Sequence, residues 1–242
     1  MRLILIRHGQ SGNNLIWEQT GGSVGRHPDT PLTDRGHEQA RKLAAAVADG
    51  VLPWRIGALY CSLMTRAVQT AAPLADALDL PLRHLDIFES DGPYDEDPAT
   101  GARTPHAGAG RTALLGLSRR LELADDVDES GWWRGDVENA DGRLARATRV
   151  LEEVRQRHTS LWPTDSGTAG GSAARDAVAL VTHGHFTQYL LRAFLSIDTI
   201  GGWIDIDNTS VTLLEEQAAY DNTPVAVRIN WTPHLTEAER TT

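Results

Sequence analysis

Short apolar runs alternate with amphipathic segments along this chain, and that alternation restricts its fold more than any other feature. Leu3 to Ile6, Ile56 to Cys61 and Ala177 to Val181 have the pattern of strands buried on both faces. Pro81 to Phe88 reads as a further strand, and Ser210 to Leu214 and Val225 to Trp231 as closing strands. Between them the hydrophobic period lengthens to that of a helix. Ala40, Leu43, Ala44 and Val47 line one face of a segment capped by Thr33 and stopped by Gly50. Ala67, Thr70, Ala71 and Leu74 do the same for Thr65 to Leu78, and Leu144, Ala147, Leu151 and Val154 for Arg143 to His158, with His185 to Leu195 as a last helix. Strands that alternate with helices of this length predict an α/β fold: a three-layer α/β/α sandwich with a mostly parallel central sheet. Ligand sites in such sheets lie just beyond the carboxyl ends of the strands.

The pattern is interrupted in four places. Gly12 to Pro31 is polar and Gly-rich. Ser90 to Gly142 is rich in Pro, Gly and acids, with a helical candidate at Leu114 to Leu123 and the pair Trp132-Trp133. It reads as an insertion, or lid, within a single domain spanning residues 1–242. Thr164 to Ser172 has the composition of a flexible surface loop, and Thr232 to Thr242 that of a loose tail.

Composition then narrows the partners. Among 242 residues there are 33 acidic and 23 basic side chains, a formal charge of −10, which argues against nucleic acid as a ligand. Lys42 is the only lysine, so nearly every basic residue is an arginine, whose planar fork suits phosphate and carboxylate. Cys61 stands alone, which excludes an intramolecular disulfide and a thiolate zinc site. The apolar run after Arg2 is too short for a signal peptide or a membrane span, so the expectation is a cytoplasmic protein without membrane partners.

Two histidines fall where the sheet rule puts a site. His8 follows the first strand in Arg7-His8-Gly9-Gln10-Ser11, and His183 follows another in Val181-Thr182-His183-Gly184-His185. In each case glycine and a helix start come next, a combination that lets backbone approach an anion and offers it unpaired N–H groups. Arg66 sits at the same edge on the first turn of its helix, and Glu89 ends the third strand-like run. Two guanidiniums, two imidazoles and a carboxylate at one edge form a phosphoryl-transfer constellation. The guanidiniums hold the equatorial oxygens, a neutral imidazole attacks phosphorus, and the carboxyl handles the leaving-group proton. Arg7 and Arg66 favour the neutral form of His8, since a like charge disfavours imidazolium.

These motifs resemble the histidine phosphatase superfamily, the phosphoglycerate mutase-like group. The resemblance is carried by Arg7-His8-Gly9-Gln10-Ser11, by Asn14 after it, and by Asp29-Thr30-Pro31-Leu32-Thr33-Asp34-Arg35-Gly36. Ser62-Leu63-Met64-Thr65-Arg66-Ala67-Val68-Gln69-Thr70-Ala71, His183-Gly184 and Asn208-Thr209-Ser210-Val211 extend it over the core but not over the insertion. It implies that His8 is the phosphorylated nucleophile, that Arg7, Arg66 and His183 bind the phosphoryl group with support from Asn14, and that Glu89 is the acid/base. It also implies that Gly21 touches substrate through its backbone and that no metal or cofactor takes part. Asp91, Asp95 and Glu96 are the acids that could replace Glu89. His185 stands in place of a usual glycine and Gln188 in place of a frequent arginine, so the leaving-group side departs from the common pattern.

The implied activity is a phosphomonoesterase acting on a small phosphorylated metabolite through a phosphohistidine. The alternatives are a phosphoglycerate mutase, which the insertion's lack of Arg-rich and double-proline motifs disfavours, and a non-catalytic member that binds a phospho-ligand or a partner. Monomer and homodimer are both compatible with the sequence. Of the remaining conspicuous residues, Cys61 and the Trp pair read as packing, His185 as packing or substrate rim, and Arg119 and Arg120 as solvated charge.

Overall fold

A computed structural model describes residues 1–89, 91–161, 176–217 and 221–242; the loop expected at Thr164 to Ser172 lies outside them. In chain order the elements are β1 (Arg2–Arg7), α1 (Gly12–Thr20), α2 (Asp34–Ala48), β2 (Arg55–Cys61), α3 (Thr65–Leu78) and β3 (Leu82–His84). Then come β4 (Tyr94–Glu96), β5 (Arg103–Pro105), α4 (Arg111–Leu117) and α5 (Ala140–Arg157), followed by β6 (Asp176–Thr182), α6 (Gly184–Leu195), β7 (Val211–Gln217) and β8 (Thr223–Trp231).

Six strands form one sheet in the order β3-β2-β6-β1-β7-β8. β3, β2, β6 and β1 are mutually parallel, and β7 and β8 are antiparallel additions at one edge. The alternation of side chains along a strand sorts the core into two layers. Ile4, Ile6, Leu59, Ala179 and Val181 meet Leu43 of α2 and Ala67, Ala71 and Leu74 of α3. Leu3, Leu5, Tyr60, Val178 and Leu180 meet Ala147, Val150 and Val154 of α5 and Phe186 and Leu190 of α6. Both faces are therefore covered, as the unbroken apolar runs of β1 and β6 require. The mostly parallel α/β/α sandwich expected from the sequence is the observed fold.

Several local expectations are corrected. Pro81 to Phe88 is a strand only over Leu82–His84; beyond it Leu85 donates to Cys61 of β2 and the Ile87 carbonyl accepts from the Thr182 hydroxyl, while Arg146 takes the carbonyls of Asp86 at 2.9 Å and Phe88 at 3.1 Å that a continued ladder would use. Glu89 thus ends an irregular segment rather than a strand. The helix expected at Leu114 to Leu123 is α4, which stops at Leu117; beyond it the Leu82 N–H donates to the Arg120 carbonyl and the Leu82 carbonyl accepts from the Glu122 N–H, each at 2.8 Å. Gly12 to Pro31 contains α1, nucleated by a capping box between Ser11 and Asn14.

The C-terminal residues are not a loose tail. Thr241 is buried, and its hydroxyl donates to Asn208 Oδ1 at 2.8 Å while accepting from Gln39 at 3.0 Å. Lys42, the one lysine, is ion-paired to Glu239 in the same segment. The Trp pair packs as expected: Phe88 lies 4.5 Å from Trp133 and 5.9 Å from Trp132 between ring centroids.

Candidate active site

β1 ends with its ladder extended by one residue, the His8 N–H donating to the Thr182 carbonyl at 2.9 Å. This puts His8 at the carboxyl edge of the sheet beside β6, and the next residue has to be glycine. A Cβ on Gly9 would lie 2.6 Å from the Gly36 carbonyl oxygen at the start of α2. His183 occupies the matching place after β6, as the residue preceding α6, and its ring centroid is 5.0 Å from that of His8. α3 begins at Thr65 and carries Arg66 into the same space.

Hydrogen bonds fix the His8 tautomer. Its Nδ1–H donates to the Gly9 carbonyl at 2.7 Å, so Nε2 keeps its lone pair and accepts from Arg66 Nε at 3.2 Å. Burial, and then the Arg66 and Arg7 charges, hold the His8 imidazole well below its ordinary range; burial, Arg66 and His8 do the same to His183. Burial also pushes Arg7 down to about 10, with Glu89 the largest influence in the opposite direction, and lowers Arg66. The site thus pairs a neutral imidazole with two guanidiniums that still carry charge at neutral pH.

Backbone supports complete it. Asn208, fully buried, donates from Nδ2 to the His8 carbonyl at 3.0 Å. Asn14 uses its carboxamide oxygen on the Ser11 N–H and hydroxyl, which leaves its amino group as the donor on the side of the pocket it lines. Arg146, stacked between Phe88 at 3.6 Å and Phe186 at 3.8 Å and ion-paired to Glu138 at 2.7 Å, anchors the segment that delivers Glu89.

A pocket of about 200 Å³ opens over these groups, lined by Arg7, His8, Asn14, Arg66 and Glu89 together with Ser11, Asn13, Trp17, Gly22, Ser23 and Arg26. His183, fully buried with its ring 5.0 Å from that of His8, is not among the lining residues. Gly21 is not brought in. α1 runs to Thr20, the chain reverses at Gly21 through a left-handed conformation (φ +66°), and the residues after it reach the pocket instead. Among the acids, only Glu89 lines the pocket. Asp91 pairs with Arg143 and Arg103, Glu96 pairs with Arg103, and Asp95 is exposed.

Gln188 is used internally, donating to the Ile204 carbonyl at 2.8 Å, and His185 stacks 5.0 Å from Trp203. Cys61 is buried at the end of β2, and burial raises its thiol. Arg119 and Arg120 pair with Asp76, Arg120 also with Asp79, at the surface. Sequence reasoning missed Trp17 and Arg26, because the path of the segment after Asn14 follows no periodic pattern. The one usable signal was an arginine inside a stretch rich in glycine. Among the described residues no cluster of His, Cys, Asp or Glu side chains has a geometry that could hold a metal ion, and no helix is long and apolar enough to cross a membrane.

Four side chains at this edge carry buried polar atoms without a hydrogen-bond partner: Arg7 (Nε), Arg66 (Nη1), Arg26 (Nη1) and His183 (both ring nitrogens). Residues 3–89, which contribute most of these groups, match a protein-family model: the histidine phosphatase superfamily, branch 1. This is a histidine phosphatase fold. A phosphoserine phosphatase from Entamoeba histolytica superposes with a TM-score of 0.59 at 18% identity, covering 97% of this chain and 99% of that one. A mycobacterial glucosyl-3-phosphoglycerate phosphatase gives 0.60 at 19% identity, over 95% and 98%. YhfR of Bacillus stearothermophilus gives 0.55 at 21%, over 96% and 98%. At these identities the likeness establishes the fold, and the chain matches its neighbours over nearly their whole length.

Proposed function

We propose that this protein is a histidine phosphatase: a phosphomonoesterase that hydrolyses a small phosphorylated metabolite through a phosphohistidine on His8. The observation that carries the reading is the set of unpartnered buried polar atoms on Arg7, Arg66 and His183 around a neutral imidazole. Buried polar groups are nearly always satisfied, and a dianionic phosphoryl group would satisfy these together.

In the first step the His8 Nε2 lone pair attacks phosphorus, the bond from phosphorus to the ester oxygen breaks, and Glu89 gives its proton to the departing alkoxide. In the second, water loses a proton to Glu89 and attacks phosphorus, the P–N bond breaks, and inorganic phosphate leaves. Arg7, Arg66, His183 and the Asn14 amino group stabilise the equatorial oxygens, which gather charge in both transition states. The Arg66 donation to His8 Nε2 has to be exchanged for one to phosphate as substrate enters. Residues 90–142 form an insertion within one domain. None of them lines the pocket; Trp132 and Trp133 pack on Phe88, the residue before Glu89, and so brace the acid/base segment from the insertion side.

Phosphatase is favoured over mutase because the lining holds none of the insertion's arginines that would grip a second phosphorylated end. Intact Arg7, His8, Arg66 and His183 speak against a binding-only role. The deciding experiment compares wild type with His8→Ala on p-nitrophenyl phosphate, with alkaline-quench trapping of a base-stable, acid-labile phosphoenzyme. Loss of both turnover and trapped phosphate is expected; normal turnover in the variant would sink the mechanism.

A further inference from the structure

Arg26 is a cation that the phosphoryl chemistry does not use. It lines the same pocket as Arg7, Arg66 and Glu89, yet it arrives from the segment between α1 and α2. Its guanidinium carbon sits 3.9 Å from the centre of the Tyr94 ring, on the first strand of the β4–β5 hairpin. Arg103 stacks on the same ring at 4.5 Å, but it is ion-paired to Asp91 and Glu96. Arg26 differs. Among the described residues it has no carboxylate within ion-pair distance, and its Nη1 is buried with no hydrogen-bond partner. Its charge is close enough to Arg66 to help lower that group.

Arg26 is half-buried, and its buried, unpartnered Nη1 beside the Arg66 charge is unfavourable unless an anion meets it. Stacking on Tyr94 fixes the plane of the fork and leaves its edge for recognition, the arrangement that suits a planar carboxylate.

We propose that Arg26, positioned by Tyr94, binds a carboxylate carried by the substrate, which makes the enzyme selective for phosphate esters of hydroxy acids. This rests on the phosphatase reading of the pocket.

The test uses pairs of esters that differ by the carboxylate: 3-phosphoglycerate against glycerol 3-phosphate, and O-phosphoserine against phosphoethanolamine. In wild type, kcat/KM for the acid should exceed that for its partner by about 10-fold or more in at least one pair. Arg26→Met, which keeps an apolar stem against Tyr94, should reduce that ratio by at least 10-fold, and Arg26→Lys should recover part of it. A ratio unchanged by Arg26→Met, equal losses on both members of a pair, or no preference in either pair would overturn the proposal.

Calorimetric binding of the same esters to His8→Ala, with and without Arg26→Met, separates this from the phosphatase reading. Arg26-dependent preference for the acid in binding, without turnover of any ester by wild type, would uphold the subsite and refute the phosphatase. Turnover without preference would do the reverse, and neither binding nor turnover would overturn both.

Discussion

Arg66→Met should make the protein at least as stable while disabling it, and the structure sets both signs. Arg66 is 4% exposed, its Nη1 has no partner, and burial lowers its pKa, so the folded state holds this charge less comfortably than water does. Replacing a buried ion pair as a whole by apolar side chains is often neutral or stabilising by about 1–4 kcal/mol, because the desolvation cost of the charges is released, and a buried charge outside any ion pair follows the same logic. Against that stands the lost hydrogen bond to His8 Nε2, worth about 1 kcal/mol. The net expectation is a gain of roughly 0–3 kcal/mol in urea denaturation without phosphate.

Activity moves the other way. Removing a preorganised donor to transition-state charge lowers kcat by about 10²–10³-fold. Saturating inorganic phosphate, which at one hundred times its Kd would stabilise wild type by about 2.7 kcal/mol, should stabilise the variant far less. Denaturation curves with and without phosphate, read beside kinetics on p-nitrophenyl phosphate, check the three statements together. A variant that loses more than about 2 kcal/mol, well outside the stated balance of buried charge and hydrogen bond, or that keeps activity within a few-fold, would refute the assignment of Arg66 as a destabilising functional charge.

Glu89→Gln should slow alkyl phosphates much more than phenyl phosphates, since only a poor leaving group needs the proton; equal slowing of both would remove Glu89 as the acid. Stability should also fall on acidification. His8 and His183 are held well below 6.5, so as pH drops below that value the unfolded chain gains protons the native site refuses. Each histidine then removes about 1.4 kcal/mol of stability per pH unit. His183→Gln should flatten the slope of unfolding free energy between pH 6.5 and 5 relative to wild type, and an identical slope would show that His183 is not held neutral.

The legible part of the site is the part written in short-range pattern. A strand of branched apolar residues, then His8 and Gly9, then a capped helix, can be read from neighbouring positions. The same holds for Arg66 on the first turn of α3 and for His183 after β6. Glu89 was legible only as the last residue of an apolar run, and the run proved not to be a strand at its end. Nothing local marks Arg146, yet Arg146 from α5 sets the path of Asp86 to Glu89 by bonding carbonyls about sixty positions away in the chain. Gly21 and Arg26 make the same point: both lie in an irregular stretch, and the one the motif favours stays exposed while the other reaches the pocket.

By itself, then, the sequence determined the parallel α/β sheet and the edge on which His8, His183, Arg7 and Arg66 converge, because strand and helix periods and the glycine turns between them are local properties of the chain. Only the tertiary structure decided which of four acids shares the pocket with His8, that Asn208, held by Thr241, braces the His8 backbone, and that a third arginine lines the pocket. Those outcomes depend on irregular segments, whose course is set by packing and buried hydrogen bonds to partners distant in sequence.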